Sequence, residues 1–153
     1  MKIRRAAESE AGALSAIAME AKAHWSYPAA QLEAWRKDLT ITAAAIAASP
    51  AYVLELDDKL AGFYALGTPG SAWTLEHFWV RPEFMGRGVG RCLLSHAAGL
   101  AAQNGVATLA IDADPNAEAF YLANGARQVG EVAAPIDGQP GRMRPQLLLP
   151  IAQ

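Results

Sequence analysis

The chain has 153 residues, 52% of them hydrophobic, and 34 are alanines, which suits one small domain of closely packed helices. Its 13 basic and 15 acidic side chains give a net charge of −2, which argues against nucleic acid as the main partner. A lone cysteine, Cys92, excludes a disulfide framework and a cysteine-rich zinc site, and no run approaches the ~20 apolar residues of a membrane span. The charged start, Met1-Lys2-Ile3-Arg4-Arg5, is followed by Glu8 and Glu10 rather than an apolar run, which is unlike a signal peptide. These features predict a cytoplasmic protein with no membrane and no metal among its partners.

In chain order, residues 2–5 read as a short strand and 6–25 as a helix, with Leu14, Ile17, Ala18 and Ala21 at helical spacing. Pro28 suits the first turn of a second helix carrying Leu32, Trp35 and Leu39. An alanine-rich helical piece covers 42–48. Residues 52–56 and 60–67 form a hairpin about Asp57-Asp58-Lys59, and 72–80 make a third long strand. Residues 88–104 carry a helical stripe of Val89, Leu93, Leu94, Ala97 and Leu100, stopped by Gly105. A strand at 107–111, a short helix at 116–124 and strands at 128–132 and 143–149 complete the chain. The class is α/β (α+β), helices first and then a mixed sheet with helical crossovers.

The segment Val80-Arg81-Pro82-Glu83-Phe84-Met85-Gly86-Arg87-Gly88-Val89-Gly90-Arg91 lies between a strand and the long helix. Glycines at 86, 88 and 90 permit tight backbone and close approach of a ligand. The helix's first-turn N–H groups and its dipole converge there, and Arg87 and Arg91 add positive charge, as an anion such as a pyrophosphate requires. The segment lacks the Lys-Ser/Thr ending of a P-loop, and its glycine spacing is not that of a dinucleotide fold.

This segment resembles the coenzyme A motif of the GNAT superfamily of N-acetyltransferases, Gln/Arg-x-x-Gly-x-Gly/Ala after a strand ending Val-x-Pro. The matching positions are Met85, Gly86, Arg87, Gly88, Val89 and Gly90, with Val80 and Pro82 upstream. Met85 departs from the family's Gln or Arg, but the family's pyrophosphate contacts come mainly from backbone N–H groups. Asn116-Ala117-Glu118-Ala119-Phe120-Tyr121-Leu122-Ala123-Asn124-Gly125-Ala126 is similar to the family's second signature, an Asn and an Ala ahead of Tyr-x-x-x-Gly-Phe, with Ala126 in place of Phe. Pro140-Gly141-Arg142-Met143-Arg144-Pro145 matches its C-terminal Gly-Arg-x-x-Pro.

The resemblance implies a mixed, mostly antiparallel central sheet of about six to seven strands flanked by helices, in one acetyltransferase domain over 1–153. It implies acetyl-CoA as co-substrate and a small-molecule amine or peptide as acceptor, attacked directly in a ternary complex. Family members often dimerise, so a homodimer is an implied assembly. Phe78, Trp79 and Val80 match the strand whose backbone holds the acyl carbonyl and pantetheine; Arg91 completes the phosphate loop. Tyr121 matches the general acid that protonates the departing thiolate, and Asn116 would cap its helix and bond the pantetheine arm.

The base stays open among Glu76, His77 and a water chain. Strand alternation puts Glu76, Phe78 and Val80 on one face and Leu75, His77 and Trp79 on the other. Glu76, among aromatic and aliphatic neighbours, is expected to be desolvated; His77 has the better intrinsic pKa, ~6.5. The resemblance implies an acceptor pocket near His24-Trp25-Ser26-Tyr27 and residues 133–142. Cys92 is expected to be a packed core thiol. A non-catalytic acyl-CoA-binding module is the alternative reading.

Overall fold

A computed structural model describes residues 1–152. The elements are β1 (Lys2–Arg5), α1 (Ala11–Ala23), α2 (Ala29–Ala34), α3 (Ala43–Ala48), β2 (Ala51–Leu56), β3 (Lys59–Gly67), β4 (Trp73–Val80), α4 (Val89–Gln103), β5 (Thr108–Asp112), α5 (Glu118–Ala123), β6 (Arg127–Ala133) and β7 (Met143–Pro150). Single 3-10 turns cover Glu8–Glu10, Pro82–Phe84 and Pro115–Ala117. The seven strands follow the order β1-β2-β3-β4-β5-β7-β6 in a mixed, mostly antiparallel sheet with flanking helices. The β1–β2, β2–β3, β5–β7 and β6–β7 ladders are antiparallel, whereas β4 and β5, joined through α4, run parallel. A parallel neighbour needs such a crossover.

Two compact units divide the chain. The first comprises Met1–Gly67 and Glu76–Ala97; the second takes Thr68–Leu75 and the chain from Ala98 onward. In the first unit, Leu14, Ile17 and Ala18 of α1 pack with Leu39, Ile41, Ile46, Val53 and Phe63. The helical spacing of α1 thus presents one buried face, and each large side chain there is worth about 1.5–3 kcal/mol. Thr42 starts α3 by accepting the Ala45 N–H at 3.1 Å, so alanine-rich α3 begins one residue later than the sequence predicts. The β2–β3 hairpin turns on Asp57 and Asp58, both left-handed (φ 55° and 60°), a conformation that aspartate tolerates.

In the second unit, Trp73 and Thr74 of β4 pair with Leu109 and Ala110 of β5. β7 carries alternating buried residues Leu147 and Leu149 between β5 and β6. The loop from 134 to 142 folds back on itself through an Ile136–Gln139 bridge and an Ala134 N–H to Arg142 carbonyl bond of 2.9 Å.

Candidate active site

The glycine loop, in the first unit, leaves the 3-10 turn Pro82–Phe84 through an extended Met85. Gly86 and Gly88 then adopt φ of +77° and +81°. Added Cβ atoms would meet nothing within 4 Å, so the backbone sign, not space, demands glycine at both. Gly90, the second residue of α4, is there as a helical residue. The Cys92 N–H bonds the Gly88 carbonyl at 3.1 Å as α4 begins, which leaves the amides of Val89, Gly90 and Arg91 as the first-turn donors without helical acceptors. A 15-residue helix with free first-turn amides behind two left-handed glycines is an anion cradle.

The arginines contribute unequally. Arg87 lies over the Phe84 ring at 5.4 Å and reaches Asp57 of the hairpin turn at 3.2 Å. Arg81 pairs with Glu20 at 3.5 Å. Arg91 is exposed, with no ion-pair partner among the described residues. Two of the three cluster charges are therefore already matched by acids distant in sequence, and Arg91 is the third.

Behind the loop, β3 approaches β4 closely at Gly62. A Cβ there would lie 2.6 Å from the Trp79 carbonyl oxygen and 3.1 Å from Leu93 of α4. Here the requirement is space. The Arg81 N–H closes the pair onto the Ala61 carbonyl at 2.8 Å. Phe78, Trp79 and Val80 are half-buried. Sequence reading missed Gly62, although an isolated glycine inside a strand is a signal of such an approach.

Glu76 and His77 sit next to each other on β4 in different surroundings. Glu76 is exposed, which corrects the expectation that its aromatic neighbours would desolvate it. His77 is half-buried, stacks obliquely 6.1 Å from Phe63 and accepts the Trp79 indole N–H at Nδ1, 3.1 Å away. Indole nitrogen is donor only, so this bond assigns the ring proton of neutral His77 to Nε2 and engages its lone pair. Burial also pushes the imidazole below its ordinary pKa, against a smaller opposing effect of Glu76. The bond also places His77 and Trp79 on one face, as strand alternation expects.

The second unit carries the other motif. Asp114, not Asn116, makes the cap: its carboxylate accepts the Asn116 N–H at 2.7 Å and starts the 3-10 turn Pro115–Ala117. The Asn116 side-chain amide also donates to Asp114, at 3.0 Å, so the expected capping role moves two residues upstream. Asn116 itself is exposed. Tyr121 on α5 is buried, edge-on to Phe120 at 5.3 Å. Burial, and next the Asp114 carboxylate, hold its phenol above the ordinary pKa, so it stays protonated. Asp114 lies 3.5 Å from the Arg142 guanidinium, which also donates to the Ala134 carbonyl at 3.1 Å. Arg142, from the Gly-Arg-x-x-Pro match, thereby ties the 134–142 loop to the start of the Tyr121 segment.

The aromatic residues at the first helix break separate. Tyr27 is buried edge-on to Trp35 at 4.8 Å, with the Lys22 ammonium 4.5 Å from the Trp35 ring, whereas Trp25 is exposed. Tyr27 is thus part of the packing. Cys92 is exposed, contrary to the expected core thiol, because the buried stripe of α4 runs through Val89, Leu93, Ala97 and Ala101. Among the described residues there is no group of three or more His, Cys, Asp or Glu side chains placed to hold a metal. No helix among them is long and apolar enough to cross a membrane.

No curated protein matches this sequence. Solved structures do. A GCN5-related N-acetyltransferase from Rhodopseudomonas palustris superposes with TM-score 0.81 at 23% identity, covering 97% of this chain and 94% of its own. The PaiA N-acetyltransferase of Thermoplasma acidophilum, solved with coenzyme A, gives TM-score 0.76 at 17% identity over 97% and 98%. The ribosomal-protein-S18-alanine N-acetyltransferase of Escherichia coli gives 0.73 at 22% identity over 99% and 94%. At these identities the likeness is one of fold. The acetyltransferase (GNAT) domain model matches residues 47–125, from the end of α3 through the glycine loop to the close of α5. This chain belongs to the GNAT acetyltransferase family.

Proposed function

We propose that residues 1–153 act as one acetyltransferase domain that carries the acetyl group of acetyl-CoA to a primary amine in a ternary complex. The observation that carries this reading is the anion cradle: left-handed Gly86 and Gly88 feeding the open first turn of α4. The amides of Gly88 to Arg91 hold the coenzyme's pyrophosphate, with Arg91 as the added charge. Met85 contributes backbone, which makes its lack of a polar side chain tolerable. Main-chain groups of Phe78, Trp79 and Val80 hold the pantetheine arm and polarise the thioester carbonyl, and Asn116 bonds the arm from its exposed position.

Glu76 is the general base. Its carboxylate is exposed and its neighbour His77 has its lone pair committed to Trp79, which favours the acid over the imidazole. The ammonium loses one proton to exposed Glu76, which releases it to water. The neutral nitrogen then bonds the acetyl carbon and gives its second proton to Glu76, while the carbon–sulfur bond breaks and Tyr121 gives its phenolic proton to the departing thiolate. Such positioned acid–base steps contribute about 10²–10⁴-fold each. A single exposed thiol, Cys92, suits a reducing cytoplasm.

Two measurements test the proposal. Calorimetry should show acetyl-CoA binding that ATP does not compete for. Thiol release with a panel of primary amines should show turnover. Acetyl-CoA binding with no amine acetylated would favour a non-catalytic acyl-CoA module and overturn the transferase mechanism.

A further inference from the structure

The first unit contains a cavity of about 210 Å³ whose lining includes no residue of either expected acceptor segment. Its walls include Thr40, Ile46, Ser49, Leu66, Glu76 and His77. Residues from the α2–α3 connection, from α3 and from the ends of β2 and β3 thus meet the middle of β4. We propose that this cavity seats the acceptor, and that the acceptor is a compact aliphatic monoamine whose ammonium group meets Glu76. This deepens the transferase reading and rests on it.

Charge selects the head group. Glu76 is the one carboxylate among the lining residues, which include no lysine or arginine, and the histidine beside it is held neutral by burial. An amine arrives protonated at neutral pH, so a carboxylate attracts it and then takes the proton that must leave before attack. The remaining walls select the tail. Ile46, Leu66 and Ala51 are buried apolar residues. The Thr42 hydroxyl accepts the Ala45 N–H at 3.1 Å, and the Thr40 hydroxyl donates to the Arg36 carbonyl at 2.7 Å. Each hydroxyl thus makes one bond to nearby backbone, and no lining residue besides Glu76 carries a negative charge, so a second ammonium on the ligand would find no counter-charge there.

Size limits the tail. At about 210 Å³ the cavity has room for a short alkyl amine. It lies below the ~300 Å³ at which sites for drug-sized ligands begin. A peptide N-terminus would bring a charged or hydrogen-bonding backbone into the same apolar volume.

The test compares n-butylamine, 1,4-diaminobutane and an alanine-initiated peptide as acceptors for the full chain. The expected kcat/KM for n-butylamine exceeds that of each other amine by about tenfold or more. Ala45, exposed on α3, also lines the cavity, and leucine keeps nearly the same helix propensity. Ala45→Leu should raise the KM for n-butylamine about tenfold with kcat and acetyl-CoA affinity unchanged. An unaltered KM in Ala45→Leu, or a preference for the diamine or the peptide, overturns the assignment while acetyl-CoA binding still stands. Failure of the native chain to bind acetyl-CoA overturns the underlying transferase reading instead.

Discussion

The Asp114 carboxylate and the Arg142 guanidinium lie 3.5 Å apart with their side chains only 8% and 4% exposed. Asp114 also accepts both the backbone and the side-chain amide of Asn116. One buried pair therefore joins the loop before β7 to the turn that leads into α5 and Tyr121. Removing one partner leaves a charge in the interior, which costs more than the pair itself contributes.

Arg142→Met should therefore destabilise the fold by about 3–5 kcal/mol in urea unfolding. Adding Asp114→Asn should recover part of the loss, since it removes the stranded carboxylate and keeps an acceptor for the turn. A double variant that loses the simple sum of the two single effects would show that the residues act independently.

Gly88→Ala and Gly62→Ala should fail for different reasons. At Gly88 the new Cβ has room, so the cost is the left-handed backbone, about 1–2 kcal/mol, with weaker acetyl-CoA binding as the cradle relaxes. At Gly62 the Cβ collides with the Trp79 carbonyl, so β4 itself must shift. Calorimetry and urea unfolding, read together, separate them: Gly88→Ala loses mainly affinity and Gly62→Ala mainly stability.

The glycine loop was legible in the sequence because a left-handed backbone leaves few residue types, and glycine at 86 and 88 marks it directly. Helix α1 was legible because burial at Leu14, Ile17 and Ala18 follows a simple period, whereas α2 ends at Ala34, so Trp35 and Leu39, expected on it, lie beyond it in turns. The site's supports were not. Asp57 with Arg87, Glu20 with Arg81, and Asp114 with Arg142 are each pairs of residues far apart in the chain, and no local pattern announces them. Glu76 was misread because its neighbours in sequence are aromatic, whereas exposure depends on what packs over the strand. Asn116 opens the motif and so reads as a cap; the Asp-Pro-Asn order that begins two residues earlier carries the signal for Asp114 instead.

Tyr121→Phe should lower kcat about 10²-fold or more and leave acetyl-CoA affinity unchanged, because it removes one proton donor and little volume. Glu76→Gln should lower kcat by a similar factor and raise the KM of the amine. An unaltered kcat in either variant, measured by thiol release, removes that residue from the mechanism.

Stability should fall as pH drops from 7.5 to 5. Burial holds both His77 and His96 below the ordinary imidazole value of 6.5, so near pH 6 the folded chain binds fewer protons than the unfolded chain. Their contribution is therefore fully present above the unfolded value and is lost as pH falls through it toward the lowered folded values, below which the loss levels off. His96 is further fixed by its 2.7 Å bond to the buried Tyr64 hydroxyl, so charging it disturbs an interior contact. Glu10 acts in a separate window: its hydrogen bond with Arg4 holds the carboxyl below 4.5, and that stability is lost only at more acidic pH. Urea midpoints at pH 7.5, 6 and 5 should decline, and His77→Gln and His96→Gln should each flatten the decline. A midpoint constant from pH 7.5 to 5 would contradict neutral, half-buried imidazoles at both positions.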